Sequence, residues 1–213
     1  MLVDDSKVLE GIFAEAPTLV AVHCEDEARV RSRNHEYMKL YGDDAPAAVH
    51  AQIRDAESCF LSSSKAVALA HKYQTRLHLL HLSTAKEMEL FESKTPLNQK
   101  KITAEVCLHH LWFSEADYTR IGNFMKWNPA VKSAADRDAL WNALLEGRID
   151  VVATDHAPHT YEEKSKPYFG SPSGGPMVQH LLPAMLSLAN DGRITITAMV
   201  EKMCHNPAIA FNI

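Results

Sequence analysis

Val151-Val152-Ala153-Thr154-Asp155-His156-Ala157-Pro158-His159 decides how the rest of the chain is read. An apolar run of strand character ends in an aspartate and passes at once into a histidine-rich loop. In parallel α/β proteins the carboxyl ends of strands open onto the active site, so an Asp there is placed to hold a metal or move a proton. Taken alone, the stretch also fits a strand whose Asp155 merely bonds backbone amides of the next loop. Two further runs shift that balance, because each carries a histidine at its polar end: Thr18-Leu-Val-Ala-Val-His23-Cys-Glu-Asp26 and Arg76-Leu-His-Leu-Leu-His81-Leu-Ser-Thr84. His23, His81 and Asp155 are thus expected at one mouth.

The 213 residues suffice for a single domain spanning 1–213, and 46% hydrophobic with 23% charged residues is ordinary for a globular chain. A formal charge of −5 and the lack of a Lys/Arg cluster argue against a nucleic-acid surface and for a small-molecule substrate. No apolar run is long enough for a bilayer, and Met1-Leu-Val-Asp-Asp5 lacks a signal-peptide pattern, so no membrane partner and a cytoplasmic location are expected. Cys24, Cys59, Cys107 and Cys204 form no C-x-x-C pair and read as reduced, mostly buried thiols.

Strand and helix patterns alternate along the chain, which favours a parallel sheet with helices outside it. Strands are expected near 19–24, 77–82, 102–108 and 149–154. Helical segments are expected after the first strand, at 85–91, at 115–121, from Ser133 to a stop at Gly147, at 177–189, and from Thr195 or Thr197 to a stop near Asn206-Pro207. Residues 164–176, rich in Gly, Ser and Pro, read as a long loop over the site, and Lys126-Trp127-Asn128-Pro129 as a strand end or tight loop. Four or five βα units are half of the eight that close a barrel. The fold is then either a smaller doubly wound sheet or part of something larger.

His23-Cys-Glu-Asp26, His81-Leu-Ser-Thr84, Glu105-Val-Cys-Leu-His-His-Leu111, Asn128-Pro129 and Ala153-Thr-Asp-His-Ala-Pro-His159 occur in the order and rough spacing of dihydroorotases, of the amidohydrolase superfamily. The resemblance runs from about Val20 to Pro207. It implies a zinc-dependent hydrolase of cyclic amide C–N bonds on a (β/α)8 TIM barrel, here a partial one lacking its N-terminal strands, that closes N-carbamoyl-L-aspartate to dihydroorotate and reopens it in pyrimidine synthesis. By the same resemblance His23 and His81 bind one zinc of a binuclear pair, and Asp155 binds the other and acts as acid/base. Asn128 and His159 match positions that contact the pyrimidine ring and its carboxylate, and Gly174-Gly175 the loop that closes on substrate. His156 is expected to turn away from the metals, and His109 and His110 to pack the loop.

The chain departs from the family pattern in three places. No His-x-His precedes His23, and no bridging lysine or aspartate is assigned; only Asp4, Asp5 and Lys7 stand upstream, with Asp5 the candidate in an aspartate-bridged branch. Asn128-Pro-Ala-Val-Lys132 replaces Asn-Pro-Pro-Leu-Arg, keeping a charge but losing a bidentate carboxylate partner. The carboxyl end stops where relatives continue into a small β domain. These departures imply the C-terminal portion of a family chain, inactive alone, whose partner is the missing N-terminal half or a second copy in a homodimer. The alternatives are an allantoinase or hydantoinase, a non-catalytic scaffold for a transcarbamoylase, and a mononuclear hydrolase using only His23, His81 and Asp155.

Overall fold

The computed structural model describes Val3 and residues 5–213. Helix α1 (Ser6–Glu15) leads into β1 (Val20–Val22); α2 (Glu27–Tyr41), α3 (Val49–Ile53) and α4 (Ala56–Tyr73) follow, then β2 (Leu77–Leu79). A 3-10 turn at Lys86–Leu90 precedes β3 (Ile102–Cys107), α5 (Leu108–Trp112), α6 (Tyr118–Ile121) and α7 (Ala134–Leu145). Strand β4 (Val151–Ala153) is followed by α8 (Tyr161–Lys164), α9 (Val178–Asn190), α10 (Ile196–Val200) and α11 (Asn206–Phe211).

The four strands are parallel and lie side by side in chain order, β1-β2-β3-β4. A doubly wound sheet reverses its strand order at a switch point, and this one never does. The sheet is therefore a run of consecutive barrel strands, which settles the choice the strand count left open. Leu77, Leu79, Ala104, Val106 and Val152 point into the main core beneath the helices. Because side chains alternate along a strand, the register of Ala21, His78 and Thr103 and of Glu105 with Val151 sets those residues on the opposite, barrel-interior face.

The helix over 134–145 starts at Ser133, whose hydroxyl accepts from the Asp136 amide in a capping box, as its sequence required. The region between the first two strands is three helices, interrupted at Gly42 (φ 53°) and by the following Asp43-Asp44 turn. The segment at 85–91 is a 3-10 turn rather than an α-helix, and 115–121 is a 3-10 turn followed by one α-helical turn. The last helical stretch does not stop at Asn206-Pro207. It passes through a π turn at Glu201–His205 and restarts as α11, because Pro207 falls in the first turn, where a missing N–H costs nothing. Helix α1 lies where the sequence reading placed no element.

The carboxyl-terminal helices close the amino end of the sheet. Lys202 Nζ donates to the Ile149 carbonyl (2.9 Å), Asn206 Nδ2 to Asp150 (2.7 Å), and the Phe211 ring meets His78 edge-on at 4.9 Å. The opposite end, where β1, β2 and β4 finish, stays open for chemistry. Cys24, Cys59 and Cys107 are buried free thiols and Cys204 is exposed, none paired. Among the described residues no helix is long and apolar enough to cross a membrane.

Candidate active site

His23 follows β1 directly and His81 stands two residues beyond β2, so two adjacent parallel strands deliver both imidazoles to one rim. His23 Nδ1 lies 2.9 Å from His81 Nε2, and the rings meet edge to face. Glu25 sits two residues after His23, on the same side of the extended chain, and its Oε2 accepts from His23 Nε2 at 3.0 Å. The carboxylate also pairs with Arg54. Burial works to raise the Glu25 pKa, but the bond from His23 and the Arg54 charge outweigh it and bring it down to about 2.

These bonds fix the tautomers. An ionised Glu25 can only accept, so the His23 proton sits on Nε2 and donates to it, leaving a lone pair on His23 Nδ1, and His81 must donate through Nε2. That leaves His81 Nδ1 buried without a partner. Burial foremost, then the neighbouring His23, lowers the His81 pKa to about 4, which keeps the ring neutral. A carboxylate behind a histidine whose other nitrogen faces a second imidazole is the arrangement that orients metal-binding histidines.

Asp155, two residues past β4, is exposed as a residue, its carboxyl partly desolvated by the surrounding rim. Burial raises its pKa above the usual carboxylate range; Glu105 adds to the rise and His23 opposes it, so its carboxyl shares an electrostatic neighbourhood with both. Glu105 Oε1 accepts from the His81 amide (3.3 Å) and its Oε2 from His78 Nε2 (3.1 Å). Both His81 (φ 37°) and Asp155 (φ 45°) occupy the left-handed region.

The two facing imidazole nitrogens suit a divalent cation. Two nitrogens on a tetrahedral zinc stand about 3.3 Å apart, a few tenths of an ångström wider than the present gap. Capture requires His81 to move its proton to Nδ1. Among the described residues, however, no group of three His, Cys, Asp or Glu side chains is arranged to hold an ion. The chain thus offers two convergent donors and a nearby carboxylate, not a complete coordination sphere.

Asp5, the bridging candidate, is an exposed N-cap of α1 accepting from the Lys7 and Val8 amides (2.9 and 3.0 Å), and has no place at the rim. Asp4 lies outside the described residues. His156 turns away as expected, its Nδ1 accepting from the Val178 amide at 3.1 Å. His109 and His110 are fully buried in α5 and pack the 126–129 loop, as expected; His109 stacks on Trp127 at 4.5 Å and His110 donates to the Pro129 carbonyl. Lys132 is buried, its ammonium donating to the Ala130 carbonyl (2.9 Å) and the Ser83 hydroxyl (3.4 Å), and its charge is among those that lower the Glu25 pKa.

The substrate-side candidates form one loop system. Asn128, before a cis bond to Pro129, has a buried Oδ1 without a partner. His159 Nε2 donates to the Ser173 carbonyl at 3.1 Å. Gly174 has φ +131°, and a Cβ there would stand 2.5 Å from the Ala157 carbonyl oxygen; a Cβ on Gly175 would stand 2.8 Å from the Trp127 ring. The loop is moulded by two buried ammonium groups. Lys164 Nζ donates to the carbonyls of Lys126, Pro172 and Gly174 (3.0–3.2 Å), and Lys126 Nζ to those of Tyr168 and Ser171 (2.7 and 2.6 Å). Glu25, Arg54, Lys126 and Lys164 were not singled out from sequence. Only Glu25 carried a local signal, its i+2 spacing from His23.

No family model matches the chain. A dihydroorotase of Methanosarcina acetivorans is 34% identical over 201 residues, covering 92% of this chain and 42% of that protein. One from Methanothermobacter thermautotrophicus is 30% identical over 210 residues, 96% and 46% respectively. Among solved structures, an L-hydantoinase from Arthrobacter aurescens superposes with a TM-score of 0.89 at 27% identity, covering 99% of this chain and 47% of that one. The chain spans less than half the length of each of these relatives. With four parallel strands in barrel order and strand-end histidines at their rim, the chain belongs to the dihydroorotase family of the amidohydrolase superfamily, as a partial (β/α)8 barrel.

Proposed function

We propose that this chain supplies part of a cytoplasmic, zinc-dependent dihydroorotase, interconverting N-carbamoyl-L-aspartate and dihydroorotate for pyrimidine synthesis. The observation that carries the reading is the pair of ring nitrogens, His23 Nδ1 and His81 Nε2, facing each other 2.9 Å apart at the strand rim. His23 and His81 would hold one divalent cation. A bound cation lowers the pKa of water to about 7 and so supplies hydroxide at neutral pH. Asp155, its carboxyl pKa raised by burial, is suited to take a proton and return it to the leaving amide nitrogen. Glu25, through His23 Nε2, fixes that ring. Asn128, with its unpartnered buried oxygen, and His159 and Gly174-Gly175 on the facing loop, would position the ring and carboxylate of the substrate.

With two donors and one nearby carboxylate in place, the isolated chain is expected not to turn over. The test is to splice it in place of the matched portion of the Methanosarcina acetivorans dihydroorotase and assay dihydroorotate, hydantoin and allantoin. Dihydroorotate hydrolysis that disappears in Asp155→Asn supports the reading. Preference for hydantoin, the reading favoured by the TM-score of 0.89 with the L-hydantoinase, or for allantoin, would overturn it. Zinc content of the chain itself, by elemental analysis, should fall on changing His23 or His81 to Ala.

A further inference from the structure

We propose that a cavity beside the candidate active site, walled by α2, α3 and the loops at Lys126 and at 168–173, is a second binding site, for a phosphate group that is free or carried on a small metabolite. The cavity measures about 210 Å3, and Arg31, Asn34, Arg54, Lys126, Tyr168 and Ser173 are among the residues that line it. Its walls are packed on one another and lie at neither edge of the sheet. Helix α2 rests against α3, the Tyr168 hydroxyl donates to His50 Nδ1 (2.7 Å), and His50 Nε2 donates to the Trp127 carbonyl (2.6 Å).

The donors along these walls are only partly used. An ammonium has three protons to give, and the Tyr168 and Ser171 carbonyls take two from Lys126, whose Nζ stands 4.3 Å from the centre of the Tyr168 ring. A guanidinium has five, and Arg54 gives one to Glu25 Oε2. Arg31 reaches Glu27 at 3.5 Å with a side chain that is largely exposed, and Asn34 adds an amide to the same wall.

Charge around the cavity is unbalanced. Arg31, Arg54, Lys126 and the adjacent Lys164 stand against two carboxylates, Glu25 and Glu27. Burial lowers the pKa of both lysines to about 8, and the charged neighbour that adds to each fall is another cation, Arg54 for Lys126 and Lys126 for Lys164. A phosphate dianion offsets the surplus, taking a point charge from Lys126 and a two-pronged contact from the Arg54 fork.

Such an anion would act on the loop that faces the histidine pair. The Lys126 carbonyl accepts from the Gly174 amide (2.8 Å), and the Ser173 carbonyl accepts from His159. Relieving the repulsion between Lys126 and Arg54 therefore steadies the segment that carries Gly174 and His159. The site is separate from Asn128 and His159 themselves and stands whether or not the chain serves a dihydroorotase.

Isothermal titration calorimetry of inorganic phosphate into the purified 213-residue chain, and into the chimera with the Methanosarcina acetivorans dihydroorotase, tests this, with circular dichroism to verify folding. Phosphate should bind with a Kd below about 1 mM. Arg31→Glu, at an exposed position, and Lys126→Met should each weaken binding at least about tenfold, equivalent to about 1.4 kcal/mol. Lys101→Glu makes the same change of charge as Arg31→Glu at the opposite end of the sheet and should leave binding as it is. Hydrogen exchange in residues 166–174 should slow when phosphate is saturating. Ribose 5-phosphate separates the two sources: binding tighter than that of the free ion assigns the site to a phosphorylated metabolite, and weaker binding assigns it to phosphate itself. No binding up to about 10 mM phosphate would overturn the proposal. So would binding unmoved by both Arg31→Glu and Lys126→Met, an equal loss in Lys101→Glu, or a dicarboxylate such as succinate that binds more tightly than either phosphate.

Discussion

Replacing Arg54 by Met tests the clamp behind the histidine pair. Glu25 is 2% exposed and is held by the Arg54 guanidinium and by His23 Nε2–H, while its Oε1 has no partner. Removing one member of a buried pair costs about 3–5 kcal/mol, since the remaining charge stays desolvated. Here the bond from His23 persists and the Arg54 side chain is 21% exposed, so water can replace part of it. The loss should therefore fall just below that range, about 2–3 kcal/mol. Lys86–Glu57 supplies the control, because both of its side chains are more than 40% exposed. Lys86→Met should cost less than about 0.5 kcal/mol. The assay is urea unfolding followed by circular dichroism, with the double variant Arg54→Met/Glu25→Gln included. Neutralising Glu25 should recover more than half of the loss. An Arg54→Met chain as stable as its parent, or a double variant weaker than the single one, would refute the assignment of Arg54 as the counter-charge.

Three further outcomes follow from the same geometry. His50 and His109 are buried, and burial lowers their pKa values to about 3, against about 6.5 when unfolded; the unfolded chain then binds more protons between those limits. Stability is complete above about pH 6.5 and should fall by about 1.4 kcal/mol per histidine for each pH unit below it, down to about pH 3; urea midpoints that stay level from pH 7 to pH 5 would contradict this. Gly174→Ala meets the Ala157 carbonyl at 2.5 Å in a backbone region alanine avoids, and should destabilise by about 2 kcal/mol or more, read as a lower Tm; an unchanged Tm would show that the loop gives way easily. Lys164→Met takes its donor from the Pro172 and Gly174 carbonyls, the Lys126 carbonyl keeping the Gly174 amide, and should speed hydrogen exchange in residues 157–175 while leaving α4 and β2 protected; uniform exchange rates would deny the ammonium its role in shaping the loop.

The barrel character was readable because parallel strands buried on both sides leave short apolar runs, and those ending at His23, His81 and Asp155 are where they were expected. The strands themselves came out shorter than read, since the ladder stops as soon as the chain bends toward the rim. Local sequence could not reveal Arg54, which reaches Glu25 across 29 residues through the packing of α3 against α2. Lys132 shows the same limit: a cation beside Asn128-Pro129 looks exposed until the fold buries it against the Ala130 carbonyl and the Ser83 hydroxyl. Helix α1 was legible in the Leu9/Phe13 spacing and its Asp5 cap, but Asp5 was weighed as a metal bridge instead. Pro207 was read as a terminator although the same residue type commonly starts helices.

His81 and Asp155 each hold a backbone shape that glycine would adopt more easily. At His81 the buried ring fills space and bonds His23, so losing it would cost more than the backbone gains. At the exposed Asp155 a protein under pressure only to fold would gain by shedding the side chain, and Asp155→Gly should raise the melting temperature while stripping a carboxylate from the mouth. Robustness and chemistry therefore pull this chain in opposite directions at that residue.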